Sequence, residues 1–154
     1  MSVTRSVYQM RLGPAQVAAL VEAHFPQVHE GSGRLVIEAF QDGIAHVRMG
    51  QVPAMVRPGG TVSGPAMFKL ADFSVYVAIL GHLGEAGLQA VTTSMTMNFL
   101  SRPAPADIIA RARLIKVGRR LAVADVELYA DGRADMVAHT TGTYALPPAN
   151  LNAV

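Results

Sequence analysis

Cysteine is absent from this chain of 154 residues. That excludes a thiol nucleophile, a disulfide frame and any metal site built on cysteine. It is compatible with a reducing cytoplasm, the compartment expected for the chain. Charge is scarce as well. Charged residues make up 16% of the chain and the formal net charge is +2. So small a balance gives no argument for a nucleic-acid partner. No basic run is interleaved with aromatics in the manner of single-strand binders. Uninterrupted apolar runs of spanning length are also missing: Lys69 and Asp72 break the best one, so no membrane partner is expected. The first ten residues lack the apolar core of a signal peptide. No Gly-x-Ser-x-Gly elbow, Walker loop or dinucleotide glycine pattern occurs. The five histidines are scattered without the spacing of a helix-borne metal site. His46 and His139 fall in strand-like runs, His82 falls near a helix end, and none is assigned to catalysis.

What is present describes a globular protein, with 51% hydrophobic residues. A chain of this length fits one domain, residues 1–154, and buries roughly 70% of its unfolded surface. Pro14 opens an amphipathic helix of about 14–25, with Val17, Leu20, Val21 and His24 at helical spacing, and Pro26 stops it. The core of the domain covers about 34–146. Leu35–Phe40 and Ile44–Met49 flank Asp42-Gly43, a strong hairpin signal. Residues 51–64 hold the prolines and glycines of a loop. An apolar helix is expected from Pro65 to Leu80, ended by Gly81–Gly87. Four strand runs follow: Ala90–Leu100, Asp107–Val117, Leu121–Ala130 and Ala134–Leu146. Their short turns predict an antiparallel meander, with Met95, Met97 and Phe99 filling the core behind the helix. One helix apolar nearly all round needs a sheet curved about it. The class is therefore α+β, one sheet layer and one main helix. A long sheet edge is a liability that a second copy can cover.

Asp72 is the residue out of place. It sits inside the most apolar helical stretch, where a bare buried carboxylate costs several kcal/mol or more. It must be hydrogen-bonded, paired or neutral. A structural role is the plain reading. Gly64 stands eight residues before it, at the end of Gly59-Gly-Thr-Val-Ser-Gly-Pro65, a turn that opens the helix. Amides at such a terminus attract negative charge. A carboxylate inside the helix and an anion-attracting turn before it fit a hydrolytic site. Ser63 serves as a helix cap or lines that site.

At this point the chain resembles the hot-dog fold, and within it the PaaI-like acyl-CoA thioesterases. The likeness covers roughly residues 44–146. The family's Gly-x-x-His-Gly-Gly loop corresponds to Gly60-Thr-Val-Ser63-Gly64-Pro65, and its Leu-Ala-Asp to Leu70-Ala71-Asp72. Thr92–Pro103, Val117-Gly-Arg-Arg-Leu-Ala-Val123 and Gly142-Thr-Tyr144 resemble its later strands and turns. The resemblance implies that Asp72 is the catalytic carboxylate, acting as general base on water or as nucleophile. It implies that the Gly64 N–H polarises the thioester carbonyl and that Thr92 helps place the water. Arg57 falls where members carry a polar residue facing the thioester. These groups are expected from two subunits of a homodimer, or of a tetramer of dimers. Two departures stand out. The loop histidine is Ser63, and the second glycine is Pro65, which has no N–H to donate.

Lys116, Arg119 and Arg120 surround the Gly118 turn. They form either a solvated hairpin tip or a site for the phosphates of coenzyme A, where arginine offers forked donors. The leading expectation is a thioesterase releasing free acid and coenzyme A, with no metal and no redox cofactor. A non-catalytic acyl-CoA or acyl-ligand binding protein on the same fold is the alternative, favoured by Ser63 and Pro65. A hot-dog dehydratase or hydratase ranks below both, because no histidine accompanies Asp72 in sequence.

Overall fold

The structure is a computed structural model and describes residues 7–148. Helix α1 (Pro14–His24) starts at a proline whose missing N–H is no loss in a first turn. The Gly13 N–H donates back to Gln16 Oε1 at 2.8 Å. Val17 and Val21 are its buried residues. Pro26 ends it and begins a single 3-10 turn, Pro26–His29, which buries Val28. Strands β1 (Leu35–Gln41) and β2 (Ile44–Met49) form the expected hairpin. Its two turn residues, Asp42 and Gly43, have φ of 52° and 74°, the left-handed pair a tight hairpin needs. The loop that follows holds a short ribbon, β3 (Val56–Arg57) and β4 (Thr61–Val62).

Helix α2 (Gly64–Leu83) is capped by Ser63, whose Oγ accepts from the Ala66 N–H at 3.3 Å. It runs three residues past the expected end. Gly81 does not stop it, because this glycine serves close packing instead. A Cβ there would lie 2.6 Å from Met10 Sδ and 3.1 Å from the Phe40 ring. The Arg11 and Leu12 N–H groups both reach the Gly81 carbonyl, at 2.7 and 3.1 Å. Gly84, at φ 67°, terminates the helix.

Strands β5 (Val91–Phe99), β6 (Ile108–Val117), β7 (Leu121–Ala130) and β8 (Met136–Ala145) complete one six-stranded antiparallel sheet in the order β1-β2-β6-β7-β8-β5. The face toward α2 is lined by small residues: Ala45, Ala110, Ala112, Ala122, Ala124, Ala138 and Gly142 alternate along the strands. Their small side chains let the helix lie close. At Gly142 an added Cβ would meet Met95 Cγ at 3.3 Å and Val75 Cγ2 at 3.7 Å. From Phe73 to Gly81 every residue of α2 is buried, so its apolar surface is spent on its own sheet. The opposite face is polar and internally paired. Arg113 Nη2 lies 3.0 Å from Asp125 Oδ2, His139 bonds the other oxygen of Asp125, and Arg111 covers the Tyr129 ring at 4.7 Å.

Two expectations are corrected. The meander holds only for β6, β7 and β8; β5 pairs with β8 and forms an edge of the sheet. The long helix carries the chain across the sheet, so the next strand starts on the far side. Phe99 is not behind the helix but 52% exposed at that edge, with its ring over Gly64. Met95 and Met97 are half-buried against the core.

Candidate active site

Asp72 faces sideways from α2 toward the start of β5 and the end of β8. Thr92 and Tyr144 are register partners on those strands. A bulge between Thr92 and Ser94 resets the alternation, so that Thr92 faces the helix alongside Tyr144. Both hydroxyls converge on one oxygen. The Thr92 Oγ1 donates to Asp72 Oδ1 at 2.6 Å, and the Tyr144 hydroxyl approaches the same atom at 2.5 Å. The Tyr144 hydroxyl also lies 2.9 Å from the Asp72 backbone carbonyl. Among the described residues, Asp72 Oδ2 has no hydrogen-bond donor. The problem of a polar group in an apolar helix is therefore solved by two fixed donors on one side. Burial, and then the negative charge of Asp72, push the Tyr144 phenol far above its ordinary value. It stays a proton donor across the working pH range.

Asp72 is half-buried and opens into a cleft of about 740 Å³. Thr92 and Tyr144 share it. Its remaining walls are mostly apolar: Phe73 and Tyr76 from α2, Leu88, Ala90 and Val91 before β5, and Phe25 and Val28 from the N-terminal turn. Tyr76 donates its hydroxyl to the Leu88 carbonyl at 2.8 Å, so its ring faces the cleft without a free polar atom. At the rim Lys69 Nζ is bonded to the Glu30 carbonyl at 2.7 Å and to Ser32 Oγ at 2.9 Å, and its burial lowers its pKa.

Gly64 lies elsewhere. It lines a second cleft of about 400 Å³ with Arg57, Pro65, Phe99, Ser101 and Arg102. Its N–H, the first of the helix, has no acceptor among the described residues. Eight residues of helix separate it from Asp72, about 12 Å along the axis. One chain thus does not bring the two groups to a single carbonyl. Ser63 has its Oγ on the Ala66 amide, and Arg57 is exposed in the Gly64 cleft.

Lys116, Arg119 and Arg120 are exposed on the β6–β7 turn. None of the three pairs with a carboxylate among the described residues. Leu121 and Val91 both pair with Ala145, so this basic turn lies at the same end of the sheet as Thr92, with β8 between β7 and β5. Among the described residues, no three or more His, Asp or Glu side chains are grouped as ligands for a metal ion.

Tyr144, Tyr76, Lys69, His24 and Phe25 are cleft residues that sequence reasoning did not place there. Tyr144 carried one signal: it lies in the Gly142-Thr-Tyr144 run of the closing strand. A tyrosine in an alternating strand reads equally well as core, and its partner is 72 positions away.

Residues 59–137 match the family model described as Thioesterase superfamily. Among solved structures, a candidate thioesterase from Silicibacter sp. is 39% identical, with 92% of this chain and 96% of that one covered and a TM-score of 0.79. A mutant of the phenylacetic acid degradation protein PaaI from Thermus thermophilus is 26% identical, covering 84% of this chain and 99% of that one at a TM-score of 0.63. A candidate esterase from Saccharolobus solfataricus is 25% identical over 109 residues, 71% of each chain.

Proposed function

This chain belongs to the thioesterase superfamily, and we propose that it hydrolyses a small or medium acyl- or aryl-CoA thioester in a site shared by two copies. The observation that carries this reading is the pinning of Asp72: Oδ1 held by Thr92 and Tyr144, with Oδ2 left without a donor among the described residues at a mostly apolar cleft. Each part has a chemical use. The acyl group lies in the apolar cleft, which excludes water from most of the chain. Asp72 Oδ2 takes a proton from a water molecule held at the thioester carbon. The water oxygen bonds to that carbon, and the carbonyl electrons move onto oxygen. The Gly64 N–H of the second copy, aided by the α2 dipole, donates to this oxyanion. Collapse re-forms the carbonyl and breaks the C–S bond. The sulfur of coenzyme A leaves and takes up the proton held by Asp72. Direct attack by Asp72, through an anhydride that water then opens, uses the same groups. Lys116, Arg119 and Arg120 bind the phosphates.

The homodimer is part of the proposal. Its support is the separation of Gly64 from Asp72 within one chain and the nine-residue edge of β5. Val91 and Leu100 are exposed there, at 59% and 57%. Edge-to-edge pairing of two β5 strands covers this edge.

A second reading, a non-catalytic acyl-CoA binding protein, rests on the loop. Pro65 offers no N–H, and the Ser63 hydroxyl is engaged by the Ala66 amide. Thiol release over short, long and aryl acyl-CoAs tests between the two. Turnover of at least one thioester is expected. Binding of acyl-CoAs without release of thiol overturns the hydrolase reading.

A further inference from the structure

One wall of the cleft beside Asp72 comes from outside the residues that match the family model. His24, Phe25, Gln27 and Val28 line it, and all precede the matched region, which begins at residue 59. We propose that this N-terminal turn is the far wall of the acyl site and that Phe25 sets the longest acyl group the cleft accepts. The inference rests on the thioester reading above and adds to it a residue that determines the substrate.

The cleft has a polar end and an apolar end. Asp72, Thr92 and Tyr144 mark the first. Phe73, Tyr76, Leu88, Ala90 and Phe25 make up the second. Tyr76 stands one helical turn beyond Asp72, about 6 Å along the axis. The Phe25 ring meets the Tyr76 ring edge-on, with centroids 6.3 Å apart and planes at 87°. An acyl chain that starts with its carbonyl at Asp72 and runs along α2 therefore meets Phe25. Rings and aliphatic groups make up most of this end, with the polar side chains of His24 and Gln27 beside them.

Phe25 is held in place from several sides. It caps the C-terminus of α1, between His24 and Pro26, with φ −146° and ψ 49°, and its N–H is bonded to the Val21 carbonyl at 2.7 Å. The proline restricts its backbone. Val28 is buried beside it. Lys69 then ties the segment after the turn to α2 through Glu30 and Ser32. Phe25 is nonetheless 37% exposed, so it lies between the cleft and solvent rather than in the core. Trimming it opens the cleft outward without leaving a sealed cavity.

The test compares the wild type with Phe25→Ala and Phe25→Trp. Turnover of saturated acyl-CoAs of increasing length is measured beside calorimetric binding of the matching S-alkyl-CoA thioethers, which cannot be hydrolysed. In the wild type, affinity rises with length up to a limit, each methylene gained inside the cleft being worth about fourfold. Phe25→Ala moves that limit to longer chains, with affinity still rising beyond the wild-type limit. Phe25→Trp moves it to shorter ones. Thermal melting confirms that both variants fold. A length limit that is the same in all three folded proteins, by turnover and by binding, overturns the assignment of Phe25. Thioether binding that shifts with Phe25 while no acyl-CoA is hydrolysed upholds the acyl wall and removes the hydrolase reading instead. Absence of both binding and turnover overturns the two together.

Discussion

Gly64 and Asp72 share one helix yet open into different clefts. Under the proposed hydrolysis, an amide and a carboxylate that far apart must come from two copies to act on one carbonyl. This requirement leads directly to a test by subunit mixing.

Gly64→Pro removes the N–H, and Ser63 already has the extended conformation that precedes proline, with φ −70° and ψ 148°, while the exposed Phe99 ring, 3.2 Å from the added Cβ, must shift slightly. Gly64→Pro alone is expected to lower kcat about 10²–10³-fold, the loss typical of one oxyanion donor. Asp72→Asn alone is also expected to be nearly inactive. Exchanged into mixed dimers, the two chains restore one intact site, Asp72 from one and Gly64 from the other. Recovery of thiol release on mixing supports the shared site. Mixed dimers, verified by mass, that stay inactive refute it.

Asp72→Asn keeps an oxygen at the Oδ1 position, where Thr92 and Tyr144 donate, and loses the base. Hydrolysis is expected to fall about 10²–10⁴-fold, with melting temperature and acyl-CoA binding retained. A variant that melts earlier yet turns over at the wild-type rate assigns Asp72 a purely structural role.

Tyr144→Phe leaves Asp72 held by Thr92 alone. The fold loses one buried hydrogen bond, worth about 1 kcal/mol, while a loosened carboxylate lowers kcat about 10- to 100-fold at constant KM. The same variant has a pH signature. An unfolded tyrosine ionises near 10, whereas the buried Tyr144 keeps its proton to higher pH. Above about pH 10 the folded state binds more protons than the unfolded one, so stability present below that pH is lost as pH rises. Denaturant titrations from pH 8 to 11.5 are expected to show this loss, and to show less of it in Tyr144→Phe. Equal alkaline losses in the two proteins contradict the assignment.

Lys116→Ala, Arg119→Ala and Arg120→Ala are expected to raise KM for acyl-CoA more than they lower kcat, since phosphate contacts are the same in ground and transition states. The effect shrinks at high salt, because these side chains are exposed. Unchanged KM in all three makes the turn a solvated hairpin tip.

Local chemistry was enough for the sequence to determine a large part of this protein. Asp42-Gly43 specifies the first hairpin, Pro14 and Pro26 bracket α1, and the Ser63 cap opens α2 within one residue of the expected start. Asp72 was recognisable because a carboxylate in an apolar helix demands partners whatever the fold. Who those partners are was not legible. Tyr144 reaches Asp72 only because β8 and β5 pair, and that pairing joins residues 52 positions apart, Thr92 and Tyr144. Strand order has no local signature: β5 resembles any strand until the helix before it carries the chain to the far edge. The same holds for Gly81, a stop signal by composition, which the approach of Met10 turns into a packing position. Phe25 reads as the end of a surface helix until the fold sets it against Tyr76. Periodicity, caps and turns are properties of neighbours in the chain. Which hydroxyls hold a carboxylate, and which ring lines a cleft, depend on contacts across long loops, and the tertiary structure decided them.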